Sequence, residues 1–205
     1  MKSGLYAFAG LDGAPLGAPD EAILFAGLPA ARPSAQTFRA TAHDPRADAI
    51  DQRARDGDLD LFLGHLDEPA QDQKTLGLRS GSGMAAIAGA AHDRWGVDAA
   101  TRLGGEWTLL RWNSRSRTLT LLMSECARDS CYYAVAGGRI AVAPELTRLA
   151  RLPWVDDGFD LDGLARTMGQ YSMRRGLGQR SILKGVNELQ PGTSVTVHAD
   201  RVTTT

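Results

Sequence analysis

Ser80-Gly81-Ser82-Gly83 stands immediately before an apolar-periodic stretch, and the backbone N–H groups of a helix start attract anions. The run has no Gly-Lys-Ser/Thr ending and no following Asp-Ser pair, so it is neither a P-loop nor a nucleotide-pyrophosphatase loop. We read it as a flexible helix cap. Cys126 and Cys131 flank Arg128, whose guanidinium would favour a thiolate, yet small buried fillers are the commoner use of such cysteines. Two cysteines neither make a disulfide framework nor hold zinc unaided. His43, His65, His92 and His198 are scattered without ligand spacing and are assigned structural roles. Asp156, Asp157, Asp160 and Asp162 offer carboxylates to a cation, but capping a helix that begins at Leu161 explains them better. No metal and no cofactor is expected in this chain.

Strand signals dominate the elements that would carry these residues. Gly4 to Ala9 and Ile23 to Ala26 are short apolar runs bounded by Gly, Asp and Pro, and both are expected as strands. Leu59, Leu61 and Leu63 alternate with Asp60 and Phe62, which predicts one buried face. Gly105 to Trp112 and Thr118 to Met123 flank Asn113-Ser114-Arg115-Ser116 as a hairpin. A second hairpin runs from Tyr132 to Ala136 and from Arg139 to Ala143 through Gly137-Gly138, which supply the positive φ of a tight turn. Thr193 to His198 and Val202 to Thr204 make a third. Met84, Ile87, Ala88, Ala91 and Trp95 share one helical face, with Gly96 ending the helix. Shorter helices are expected over Val97 to Leu103 and Leu161 to Met168, and the 20s to 50s read as loop-rich. The sum is an α+β chain of antiparallel sheets covered by helices.

Composition narrows the partners. The chain has 205 residues, 43% hydrophobic and 23% charged, which suits one soluble domain. Its net charge of −1 leaves no basic excess for a phosphate backbone, so no nucleic-acid partner is expected. The longest apolar runs fall well short of the roughly 20 residues a membrane span needs, and no signal-peptide core opens the chain. A cytoplasmic location without membrane contact is expected.

From Phe62 onward the order of motifs resembles the N-terminal glutaminase-type domain of asparagine synthetase-like proteins. Phe62-Leu63-Gly64-His65-Leu66-Asp67 comes first, then Arg94-Trp95-Gly96 with Arg102-Leu103, then Gly105-Glu106-Trp107 to Trp112-Asn113. Cys131-Tyr132-Tyr133-Ala134 and Gly137-Gly138-Arg139-Ile140-Ala141 follow. Gly185-Val186-Asn187-Glu188-Leu189-Gln190-Pro191-Gly192 matches the family's closing segment. The resemblance implies a four-layer αββα sandwich of the N-terminal-nucleophile hydrolase type. In active members a Cys after the initiator Met attacks the glutamine side-chain amide, and its own free amine acts as base. An Asn-Gly pair forms the oxyanion hole.

This chain departs from the family at those points. Ser3-Gly4 holds the Cys-Gly position behind Met1-Lys2, and Lys2 is too bulky for ordinary methionine removal. Leu63-Gly64 replaces Asn-Gly. Met84 aligns near the carboxylate that holds the substrate's ammonium group, and Arg39 and Arg46 are the nearest choices for its carboxylate. Arg128-Asp129 opens a loop in which only Ser130 and Cys131 precede Tyr132. No catalytic residue is therefore expected. Degenerate glutaminase domains of this kind imply lasso-peptide cyclases, which join a peptide's N-terminal amine to its own Asp or Glu. The implied partners are a C-terminal synthetase domain using ATP and Mg, in cis or in trans, and a precursor peptide with its protease. An active ammonia-supplying domain of an asparagine synthase is the alternative, and a stand-alone module binding small amides or peptides is a third reading. An apolar patch near Trp154, Tyr171 and Leu177 is expected to drive self-association into a homodimer.

Overall fold

The computed structural model describes residues 4–13, 15–28, 32–35, 37–44, 49–169, 180–199 and 201–205. Strand β1 (Gly4–Gly10) is buried along its whole length, because it lies mid-sheet with packed layers on both faces. Leu5, Ala7 and Ala9 point to one layer and Tyr6 and Phe8 to the other. Helix α1 (Ala18–Leu24) follows, where a strand from Ile23 was expected. Pro19 in its first turn presets helical φ, and Asp20 and Glu21 meet the positive end of the dipole.

The 20s to 50s are more ordered than their prolines and charges suggest. They hold β2 (Arg32–Ala35), β3 (Phe38–His43) and β4 (Ile50–Arg55). In β3 Phe38, Ala40 and Ala42 are buried and alternate with half-buried Arg39, Thr41 and His43, a period of two hidden by its polar members. Strand β5 (Asp58–Gly64) buries Leu59, Leu61 and Leu63 on one face but Phe62 on the other, so both faces are covered, not one.

The remaining strands match expectation closely: β6 (Trp107–Asn113) with β7 (Thr118–Met123), and β8 (Tyr132–Ala136) with β9 (Arg139–Ala143). Gly137 and Gly138 turn the second hairpin at φ 55° and 70°. Two-residue β10 (Asn187–Glu188) precedes the last pair, β11 (Ser194–His198) and β12 (Arg201–Thr204). Helix α2 (Pro69–Leu76) leads to α3 (Met84–Trp95), whose ends fall where the periodicity places them. The expected helix over Val97 to Leu103 divides into a 3-10 turn at Gly96–Asp98 and α4 (Ala99–Arg102). Short α5 (Leu146–Leu149) and α6 (Leu161–Gly169) complete the set.

Two six-stranded antiparallel sheets result, β10-β8-β9-β1-β3-β2 and β12-β11-β7-β6-β5-β4. Leu5, Phe38, Leu61, Leu63, Trp112 and Tyr133 fill the space between them. Ile87, Ala88 and Ala91 of α3 cover Phe62 and Trp107 on the outer face of the second sheet. Leu24 and Leu149 cover Tyr6 and Phe8 on the outer face of the first. The order of layers is helix, sheet, sheet, helix: a four-layer αββα sandwich. No helix among the described residues is long and apolar enough to cross a membrane.

Candidate functional site

Gly64, the last residue of β5, has φ +120°. A Cβ there would strike the Glu106 carbonyl and come within 2.7 Å of Trp107 Cα. Only glycine lets the β5 end and the Glu106 peptide approach this closely. His65 N–H donates to Glu106 O at 2.9 Å, and Asp67 N–H to Gly104 O at 3.2 Å, locking the turn that follows. Leu63 is 3% exposed and packs in the apolar layer between the sheets, which Leu5 at the start of β1 also joins. Leu5 at the β1 start and Leu63, which the resemblance sets at the oxyanion loop, thus share one layer. Beside them Gly64, His65, Glu106, Trp107 and Arg128 line a hollow of only about 20 Å³, room for about one water. Arg128 pairs with Glu106 at 3.0 Å across it, a contribution the sequence did not reveal for Glu106.

Other expected site residues lie outside the described residues or away from this hollow. Ser3 and Arg46 are outside the described residues, as are Tyr171 and Leu177. Arg39 is engaged by Glu21 of α1 at 2.6 Å and does not line the hollow. Met84 opens α3 and packs against the apolar cluster beneath that helix. Just before it, Asp51 of β4 accepts a hydrogen bond from Ala85 N–H at 2.8 Å. The chain's own carboxylate thereby satisfies the helix start after Ser80-Gly81-Ser82-Gly83 that could have held an anion. Cys131 is buried, and burial, with the Glu188 charge, pushes its thiol up to about 12, so it stays protonated. Cys126 is exposed. Asp160 accepts from Asp162 N–H and Gly163 N–H at the start of α6, the expected cap. No group of metal-ligating side chains forms among the described residues. Trp154 stacks on Phe8 with centroids 6.3 Å apart and belongs to the buried layer under α5, not to an exposed patch. Phe159 and Leu161, 63% and 73% exposed, are the large apolar side chains left in solvent nearby.

A polar network missed by the sequence reading occupies the outer face of the second sheet, at the far end of α3. Arg111 Nε donates to Asp60 Oδ1 at 2.8 Å, and its Nη1 donates to Asp93 Oδ1 at 2.5 Å, to Gly89 O and to His92 Nδ1 at 3.1 Å. Gly89 makes room for this, since a Cβ would lie 2.7 Å from Asp60 Oδ2. Burial opposes the Arg111 charge, but the bonds to Asp93 and Asp60 outweigh it and raise its pKa. Accepting at Nδ1 requires a neutral His92 with its proton on Nε2. Burial and then the Arg111 charge lower the His92 pKa, consistent with that tautomer. The unfolded chain therefore takes up this proton first as pH falls below about 6.5, and the stability His92 contributes as a neutral ring is lost there. Urea midpoints at pH 7.5 and 5.5 should drop more in the wild type than in His92→Gln; equal drops would contradict this assignment.

The architecture, two antiparallel sheets stacked between helical layers, is that of the N-terminal-nucleophile hydrolases. A family model for the glutamine amidotransferase domain matches residues 72–205, and the chain belongs to that family. The matched stretch begins downstream of Ser3 and of Leu63-Gly64. Among solved structures, the chain is similar to the glutamine phosphoribosylpyrophosphate amidotransferase from B. subtilis, complexed with ADP and GMP. The TM-score is 0.51 at 10% identity, covering 99% of this chain and 43% of that one. That likeness is one of fold, and the chain spans less than half the length of its counterpart. No curated protein matches it in sequence.

Proposed function

We propose that the chain is a glutamine amidotransferase domain that no longer hydrolyses glutamine and acts as the structural half of an ATP-dependent, amide-forming enzyme. The reading rests on Leu63. The position that would present a side-chain donor to an oxyanion holds an alkyl group, 3% exposed and part of the inter-sheet core. The hollow beside it, about 20 Å³, has room for about one water. The first partner proposed is an asparagine synthetase-like ATP-binding domain using Mg, in cis or in trans, of the lasso-peptide cyclase kind. A cyclase takes its nitrogen from the peptide's own amine, so it needs no ammonia and tolerates loss of the nucleophile. The order of motifs from Phe62 to Gly192 supports this assignment. A cytoplasmic location fits a reaction that consumes ATP.

Reconstitution tests it. The synthetase domain encoded with this chain, a precursor peptide carrying Asp or Glu, its protease and MgATP should yield a peptide lighter by one water only when this chain is present. Glutamine-dependent amidation of free aspartate by the same mixture would instead establish the asparagine synthase reading.

Leu63 also makes a stability prediction. Leu63→Asn places an amide in an apolar layer without a partner, at a cost of about 2–3 kcal/mol. The melting temperature should fall by roughly 4–12 °C at 2–4 °C per kcal/mol. A neutral substitution in calorimetry would mean that the site still accommodates the family's polar side chain.

A further inference from the structure

The outer face of the second sheet carries an open cleft of about 340 Å³, in the size range of metabolite sites. It is separate from the Gly64 hollow. Both touch β5, but Asp60 and Gly64 are four residues apart, about 13 Å along an extended strand. Its floor is a ladder of cross-strand partners: Arg53 opposite Asp60, Asp60 opposite Arg111, and Arg111 opposite Thr120. The end of α3, with His92 and Asp93, forms one wall.

Donors and acceptors in this cleft do not balance. Each of its carboxylates is already engaged within the chain. Asp60 and Asp93 both accept from Arg111. Asp58 accepts from Ser114 N–H at 2.7 Å, from Ser114 Oγ at 2.9 Å and from Asn113 Nδ2. The donors are not consumed in the same way. Arg53 is exposed and has no partner among the described residues. Among the described residues Arg55 is held by Asp56 alone, in a pair 76% and 87% exposed that contributes little. His92, with Nδ1 occupied by Arg111, keeps its proton on Nε2. A cleft whose carboxylates are each engaged and whose Arg53 has no partner among the described residues suits a ligand rich in acceptors. We propose that it binds a small molecule through an oxyanion, a phosphoryl or carboxylate group seated on the Arg53 guanidinium, with the His92 Nε2–H as a second donor.

The site is independent of the amidotransferase reading. The test is thermal melting of the full 205-residue chain at pH 7.5 in sodium phosphate or sodium citrate, each against sodium chloride of equal ionic strength. At about ten times the dissociation constant, the specific anion should raise the melting temperature by about 3–5 °C. A rise with phosphate alone identifies a phosphoryl site, with citrate alone a carboxylate site, and with both a shared oxyanion site. Arg53→Ala should abolish the rise and should fold, because the side chain is exposed and has no partner among the described residues. Arg151→Ala, an exposed arginine away from the cleft, should keep it. A second readout is the His92 ring resonance, which should shift on titration with phosphate in the wild type and not in Arg53→Ala. No rise over chloride, or an equal rise in Arg53→Ala, overturns the proposal.

Discussion

Glutamine incubated with this chain is expected to release ammonia no faster than a heat-killed control. Amide hydrolysis in this fold needs an activated nucleophile with its own amine as base, and donors aimed at the oxyanion. The resemblance sets Ser3, behind Met1-Lys2, at the first position and Leu63 at the second; the Ser3 nitrogen sits in a peptide bond unless both leading residues are removed. At the second, the Leu63 side chain cannot donate a hydrogen bond. One oxyanion donor alone is worth about 10²–10³ in rate, so activity should fall at least that far. Ser3→Cys alone should stay at background, because neither the free amine nor the donor returns with it. Ammonia above the control, abolished by Ser3→Ala, would restore the hydrolase reading and remove the case for a purely structural domain.

Gly64→Ala should be the most damaging single methyl group near the site. At φ +120° an alanine pays about 1–3 kcal/mol in backbone strain. Its Cβ also meets the Glu106–Trp107 backbone, which has little freedom to retreat. Trp107 is 1% exposed, its N–H donates to Ser124 Oγ at 3.1 Å, and its carbonyl accepts from Ser124 N–H at 3.0 Å. Strain and overpacking together come to about 4 kcal/mol, a fall in melting temperature of roughly 8–16 °C. Gly77 supplies the control. It ends α2 at φ +69° with nothing within 4 Å of its would-be Cβ, so Gly77→Ala should cost only about 1 kcal/mol. Equal losses at the two glycines would show that the backbone at Glu106 yields, and that the hollow is softer than its contacts imply.

What could be read from the residues was what neighbours in sequence decide. The β6–β7 and β8–β9 hairpins are set by turn chemistry within a few residues, and α3 by a stripe ending at Gly96. Helix α1 was misread because Ile23, Leu24 and Phe25 form an apolar run too short for its period to show, and Pro19 and Asp20 carried the helix signal instead. Strand β4 was missed because an edge strand with four exposed residues carries almost no pattern. At the site, the Leu63-Gly64 position followed from resemblance, whereas the groups around it did not. Asp51 caps a helix 34 residues later, and Arg111 finds Asp60 across 51 residues. Such pairs exist only once β4, β5 and β6 lie side by side, and no local rule predicts them. The Arg39–Glu21 pair is of the same kind, visible only after α1 and β3 are placed.

The strand order also separates the stretch that carries the family likeness from the stretch that can stand alone. Residues 72–205 supply β6 through β12 but none of β1 to β5. Cutting there would strip β1 and β3 from β9, and β5 and β4 from β6, leaving two half-sheets with raw inner edges. Such edges are templates for intermolecular pairing. The recognisable segment is thus not a cooperative unit by itself. The residues before 72 lie outside the family match yet supply β1 to β5, and both sheets depend on them as scaffold.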